Sequence, residues 1–209
     1  MRLILTLALL FLTACQSVSD GTDIRAVKTD AERQEYYRHA DHVDRAYDRL
    51  ISANAEYCSP KCRFRVVLGP ASGLGAFTNS RVSPPEIWVT FPLMRFLEND
   101  DEIALLIAHE WSHILLGHAA VYDTLGGKTA ELQADCLGAI LAARAGYDVS
   151  KAALSLKRMG NTATGIIHTM TGGNTHPPFT QRYELTVDIG GRGRNIDKNT
   201  ANQICGVRL

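Results

Sequence analysis

An excess of charge of either sign is missing from this chain. Lys and Arg together number 22, Asp and Glu together 22, and no block of like charge stands out. A nucleic-acid surface shows itself as a basic stripe or a strongly basic domain, so no nucleic-acid partner is expected. Also lacking is an apolar run long enough to cross a bilayer as a helix, which takes about 20 residues. The run Leu3–Ala14, after Arg2, has only twelve residues. A positive start before a short apolar core is the layout of a secretory signal rather than of a membrane span. Aromatic residues are sparse at 7%, but a hydrophobic share of 45% is ordinary for a globular protein. At 209 residues the chain suffices for one well-packed domain, expected over residues 30–209, and is short for two.

Cysteine is scarce, five in all, and its placement is informative. Leu12-Thr13-Ala14-Cys15 resembles the bacterial lipobox. That resemblance implies a signal peptide over residues 1–14 and a lipidated Cys15 that anchors the domain to a membrane surface. Similarity to Gram-negative lipoproteins, with Gln16 rather than Asp after the cysteine, implies the outer membrane and a domain facing the periplasm. Residues 15–29, polar and with a turn at Asp20-Gly21, read as a tether. Four cysteines then remain, Cys58, Cys62, Cys136 and Cys205, and an even number in an oxidising compartment suggests disulfides with three possible connectivities. The turn-like spacer Ser59-Pro60-Lys61 favours Cys58–Cys62, leaving Cys136–Cys205. A cysteine zinc site would need a second matching pair, which the sequence does not offer.

The periodicity predicts an α+β fold, mainly helical. From Asp30 to Tyr57 neither Pro nor Gly interrupts, and Tyr36, Tyr37, Ala40, Val43, Ala46, Tyr47, Leu50 and Ile51 recur at helical spacing. His39 and His42 on that helix read as structural. Phe64–Leu68, Leu74–Thr78 and Ile87–Phe91 are short β-rich runs, with Pro92 expected to keep the last from being a central strand. Asn99 caps a helix with an acidic first turn, and the following residues are apolar on nearly every side, the pattern of a buried helix. A second helix runs from Lys128 to Ala145 and a short one from Ser150 to Met159. Gly160–Thr175 shows no period, a further helix opens at Pro177-Pro178 and reaches Val187, and a Gly-rich tail leads to Cys205.

The buried helix carries His109-Glu110-Trp111-Ser112-His113. Four residues turn a helix through about 400°, so His109 and His113 project almost in line and Glu110 lies about 100° from the first. Two imidazoles beside a carboxylate that can take a proton from water are what a zinc hydrolase needs. Charged Glu110 in an apolar helix is itself costly unless paired or near a metal. Two residues could complete the ligand set. His118 lies five after His113, about 140° round a continuous helix, and so is expected to face away. The three-histidine pattern would also need a glycine and then a histidine at the two positions where this chain has Leu116 and Ala119. Glu131 does better: it opens the second helix one turn before Asp135, on a face continued by the small residues Gly138 and Ala142. Those small side chains would let the two helices approach closely. Asp135 would then sit behind the site and accept a hydrogen bond from the far ring nitrogen of a ligating histidine.

H-E-x-x-H followed by E-x-x-A-D, with Thr175-His176-Pro177 and Arg182 later, resembles the HtpX and CAAX-prenyl-protease superfamily of zinc endopeptidases, most of all its short bacterial lipoprotein members. The resemblance covers Phe64–Val187. It implies a zincin-type domain with two central helices carrying one Zn2+ on His109, His113 and Glu131, and Glu110 as the base. It also implies that His176 and Arg182 lie at the active site as oxyanion stabilisers, and that Ile87–Phe91 borders the cleft where a polypeptide substrate adds as an extra strand. Many relatives carry Asn-Ala-Phe where this chain has Gly75-Ala76-Phe77. Residues 160–176 are expected to form a lid that brings His176 onto the metal's open position at rest. The alternatives from other classes are a zinc-stabilised, chaperone-like binding lipoprotein with vestigial activity, which an intact Glu110 argues against, and a purely structural lipoprotein.

Overall fold

A computed structural model describes residues 22–59, 62–162 and 176–209, with backbone alone at 122–124. Cys15, the signal segment and most of the expected lid lie outside the described residues. The elements run β1 (Thr22–Asp23), α1 (Asp30–Ala53), α2 (Ala55–Cys58), β2 (Arg65–Gly69), β3 (Ala76–Asn79), β4 (Glu86–Thr90), α3 (Phe91–Phe96), α4 (Asp100–Leu116), α5 (His118–Leu125) and α6 (Gly127–Arg144). Then follow α7 (Val149–Ala152), α8 (Leu154–Gly160), α9 (Phe179–Gly193) and α10 (Lys198–Cys205). A small mixed sheet packed on a larger body of helices makes the fold α+β, as the pattern predicts.

The sheet order is β1-β2-β4-β3, with β1, β2 and β4 parallel and β3 antiparallel to β4. The expected strand Ile87–Phe91 is therefore central, contrary to the inference drawn from Pro92. The ladder stops at Thr90, whose hydroxyl accepts from Leu93 N and starts α3, and Pro92 falls in that helix's first turn, where its missing N–H costs nothing. Val66, Leu68, Ile87 and Val89 are buried against the helices. On the opposite face Phe77 stacks on Trp88 with ring centroids 6.0 Å apart, and Phe77 is more than half exposed. The sheet also begins within the stretch that reads as tether. Thr22 pairs with Val66, its N–H donates to Asp44 Oδ1, and Tyr36 Oη donates to Thr22 Oγ1.

α1 begins at a capping box, with Thr29 Oγ1 accepting from Glu32 N while Glu32 accepts from the Thr29 N–H. Tyr36, Ala40, Val43, Ala46, Tyr47 and Leu50 form its buried stripe, and Tyr37 faces solvent. The helix stops at Asn54, short of Tyr57, because the buried Asn54 amide donates both to Leu50 O and across to Leu141 O on α6. Both disulfides are as the spacing favours, Cys58–Cys62 and Cys136–Cys205; the second ties α10 to α6. α9 continues through Gly190 and Gly191 to Gly193, beyond the expected end at Val187. Gly190 and Gly193 serve packing rather than a turn: a Cβ on Gly190 would come within 2.3 Å of Val149 Cγ1, and one on Gly193 would stand 3.0 Å from Ala143 Cβ. None of the described helices is long and apolar enough to cross a membrane.

α4 and α6 form the central pair, and α9 also packs on α6. α4 starts at the expected cap, Asn99 Oδ1 accepting from Glu102 N, and ends at Gly117, which takes a left-handed conformation (φ 66°). The crossing with α6 is at backbone contact: a Cβ on Gly138 would stand 2.9 Å from both Cα and N of His109. Gly138→Ala is therefore expected to force the helices apart and cost about 1–3 kcal/mol of stability. Gly191→Ala meets nothing within 4 Å and is expected to add about 0.5–1 kcal/mol, the usual preference for Ala inside a helix. Urea unfolding of the two variants at equal m-value checks both; equal stability for the pair would mean that α4 and α6 are not in backbone contact.

Candidate active site

Buried α4 and buried α6 meet beneath a cavity of ≈ 800 Å³, walled by His109, Glu110, His113, Glu131, His176 and the β3 strand. His109 Nε2 and His113 Nε2 stand 3.2 Å apart. Glu131 offers each an oxygen, Oε2 at 3.5 Å from His109 Nε2 and Oε1 at 3.5 Å from His113 Nε2. Two ligand atoms on a tetrahedral ion with bonds of about 2.0–2.1 Å are themselves about 3.3–3.4 Å apart. The trio therefore stands at metal-ligand spacing, and its donor atoms all lie within 4.8 Å of one another. Two imidazoles and one carboxylate, with a position left open, form a donor set suited to catalytic zinc. Among the described residues only this trio groups His, Cys, Asp or Glu in that way.

Residues 38–127 match the family model described as peptidase family M48. The match spans less than half of the chain and takes in His109, Glu110 and His113. It ends before Glu131, so the third ligand stands on geometry rather than on the match. No curated protein and no solved structure matches the chain.

Behind the M48 motif the predicted support is in place. Asp135 Oδ1 lies 2.9 Å from His109 Nδ1 and accepts a hydrogen bond from its N–H, which leaves Nε2 facing His113 and Glu131. Arg182, buried on α9, donates through Nε and Nη2 to both oxygens of Asp135 at 2.7 and 2.8 Å, and its Nη2 is 3.4 Å from Glu131 Oε2. Those bonds hold the two carboxylates in place; they do not aim the guanidinium at a substrate oxygen, the role the resemblance implies. His176 stands at the mouth, half exposed, with Nδ1 3.6 Å from Glu131 Oε1. Residues 163–175 of the expected lid lie outside the described residues.

Two expectations need correction. His118 does not face away. Gly117 breaks α4, so the 140° extrapolation along a continuous helix does not apply, and His118 opens α5 with Nδ1 2.8 Å from His113 Nδ1. It is buried, touches a predicted ligand and contributes to the lining of the cavity. A glycine just before it, at the favoured position for ending a helix, was the available signal. Second, β4 is paired on both sides, so Ile87–Phe91 cannot receive a further strand. Among the described residues β3 is the edge strand beside the cavity, and Gly73–Thr78 line it.

Burial sets the protonation of the cluster. It disfavours a charge on His109, but hydrogen bonds to Asp135 and Glu131 outweigh it and push the imidazole up to about 10. Burial acts the same way on His113, and the His109 charge adds to it, bringing that imidazole down to about 3. For Glu131 burial works against ionisation, and the His109 hydrogen bond and charge win, holding it well below the usual carboxylate range. Asp135 is likewise held low against burial by Arg182 and His109. In the metal-free molecule the extra proton of His109 therefore sits on Nε2, facing His113 and Glu131. A cation must displace it. Zinc affinity is thus expected to rise with pH wherever the medium is below about 10, the His109 value. Calorimetric titration at pH 8 in buffers of different ionisation enthalpy should show at least about one proton released per ion; no release would mean that His109 is already neutral.

Proposed function

We propose that this protein is a zinc-dependent endopeptidase, tethered through lipidated Cys15 to the periplasmic side of a Gram-negative outer membrane, that hydrolyses peptide bonds in misfolded or envelope polypeptides. The observation that carries the reading is the convergence of His109 Nε2, His113 Nε2 and Glu131 at ligand spacing beside a buried acid, Glu110, that forms no part of the ligand set. The M48 match supports the metallopeptidase part. Tether and address rest on the lipobox-like Leu12–Cys15 and Gln16.

Zinc, when bound by the trio, supplies Lewis acidity toward water and toward the scissile carbonyl. The chain's own residues do the rest. Burial raises the Glu110 carboxyl, and Glu131 adds to this while His109 and Arg182 oppose it, leaving Glu110 at about 7. An acid poised there can take the proton of the attacking water on a carboxylate oxygen and return it to the leaving amine, so that water is added across the peptide bond without a proton lost to solvent. Substrate is aligned by the free edge of β3, where an extended segment can pair with the backbone of Ala76–Asn79. Main-chain pairing needs no free terminus, which favours cleavage inside a chain. Below it the cavity offers Leu93, Leu97, Leu105, Leu106, Leu156 and Met159, a wall for apolar side chains of the kind unfolded proteins expose.

Degradation of an unfolded protein by wild type and by Glu110→Gln, with zinc content measured in both, tests the reading. Equal zinc with cleavage reduced about 10²–10⁴-fold is expected. Zinc held by both with cleavage by neither would favour the binding lipoprotein. The base must be ionised to act, so kcat/KM should fall as pH drops through about 7, or through a lower value once a bound dication adds to the lowering side. A profile without an acid limb would remove Glu110 from the role.

A further inference from the structure

We propose that His118 and Gln133 are positioning residues, forming a relay anchored at the C-terminal cap that fixes which nitrogen of His113 is left bare for the metal. The proposal rests on the zinc reading above and concerns residues outside the ligand set. A continuous chain of contacts carries it. His113 Nδ1 lies 2.8 Å from His118 Nδ1, His118 Nε2 lies 3.2 Å from Gln133 Oε1, and Gln133 Nε2 donates to Gly206 O at 2.9 Å. Gly206 caps α10 in a left-handed conformation, next to Cys205, whose disulfide to Cys136 returns to α6, the helix that bears Gln133.

The chemistry of the contacts leaves one self-consistent arrangement. A backbone carbonyl only accepts, so the Gln133 amide must turn its NH2 toward Gly206 and its oxygen toward His118. An amide oxygen also only accepts, so His118 carries its proton on Nε2. A neutral imidazole has one N–H, which makes His118 Nδ1 an acceptor. The 2.8 Å contact is then a hydrogen bond donated by His113 Nδ1, and His113 Nε2 is left with its lone pair toward His109 and Glu131. The opposite order would set the bare Nε2 of His118 against the Gln133 oxygen and put a proton on the ligand face of His113. Both rings are buried, and His118 meets an imidazole and an amide, neither of which carries a negative charge that would hold a second proton on it. The two ligating histidines are thus oriented by different means, His109 by a charged pair, Asp135 with Arg182, and His113 by an uncharged chain that ends on the last cap of the fold.

Metal-free protein labelled with ¹⁵N in histidine tests the tautomers directly. Wild type should show His113 protonated at Nδ1 and bare at Nε2, and His118 the reverse. In Gln133→Leu and His118→Phe, which remove the acceptors one at a time, zinc measured by competition with a chromophoric chelator should bind about 10–100-fold more weakly. Gln133 is only half-buried, so Gln133→Leu decides if His118→Phe does not fold. In Gln133→Leu the His118 signal should lose its single Nε2–H form, a change that loss of packing alone would not produce. Zinc bound equally tightly by wild type and Gln133→Leu, or wild-type His113 protonated at Nε2, overturns the relay and leaves the zinc reading standing. Wild type that takes up no zinc overturns both.

Discussion

Everything at this site depends on how closely two helices can approach. Glu131 belongs to α6 and the histidines to α4, so the ligand trio exists only if the helix axes are near enough for a glutamate to span the gap. The small residue at the crossing sets that distance. With Gly138 there, the α6 backbone lies against the backbone of His109 itself. One turn earlier on the same helix, Asp135 comes level with His109 Nδ1, and another turn back Glu131 comes level with both Nε2 atoms. The i, i+4 spacing on α6 thus puts one carboxylate before the imidazole and one behind it, and a single close contact registers both.

That geometry gathers charge on buried side chains, and the fold must answer for it. Asp135 and Glu131 are ionised and buried, an arrangement that is strongly unfavourable unless the charges are paired. Arg182 from α9 neutralises one, and the second proton of His109 offsets the other. Without an ion, a proton on the Nε2 of His109 lies toward Glu131 and offsets its charge. A dication of fitting size would replace that proton and interact with both imidazoles and Glu131 together. Metal binding and folding draw on the same buried charges, and the arginine that balances Asp135 is as much a part of the centre as the ligands are.

The chemistry-bearing residues were legible in the sequence where a periodic rule reaches them. His109, Glu110 and His113 follow from helical spacing alone, and Glu131 with Asp135 from the same rule applied to a second helix whose small residues announce a close crossing. What stayed illegible depended on breaks and on partners far along the chain. His118 is misplaced by any argument that carries α4 past Gly117, because one left-handed residue resets the rotation. Gln133 has no local signal at all; its role appears only when Gly206 is brought beside it. The centrality of β4 was hidden for a related reason, since Pro92 starts a helix one step after the ladder has ended. The glycines of α9 read as a tail from composition, yet Gly190 and Gly193 are where that helix lies against Val149 and Ala143. Glycine marks a turn or a close approach, and only the neighbour decides which.

The M48 match and the structure divide the site between them in a way that bears on the chemistry. The matched segment contains Glu110 and two of the three clustered residues, His109 and His113, which by themselves would not suffice to hold an ion. The remaining ligand, the carboxylate behind His109, its arginine and the amide that orients His118 all lie beyond residue 127. If the part of the chain after the match had drifted from metal chemistry, these residues would have no reason to converge on the same two imidazoles. Instead the Nδ1 of each imidazole, on the side away from Glu131, meets a partner able to accept a hydrogen bond from it, Asp135 for His109 and His118 for His113. Both nitrogens that face the cavity are thereby directed at Glu131. Ordinary packing has no need of that orientation; a bound cation does.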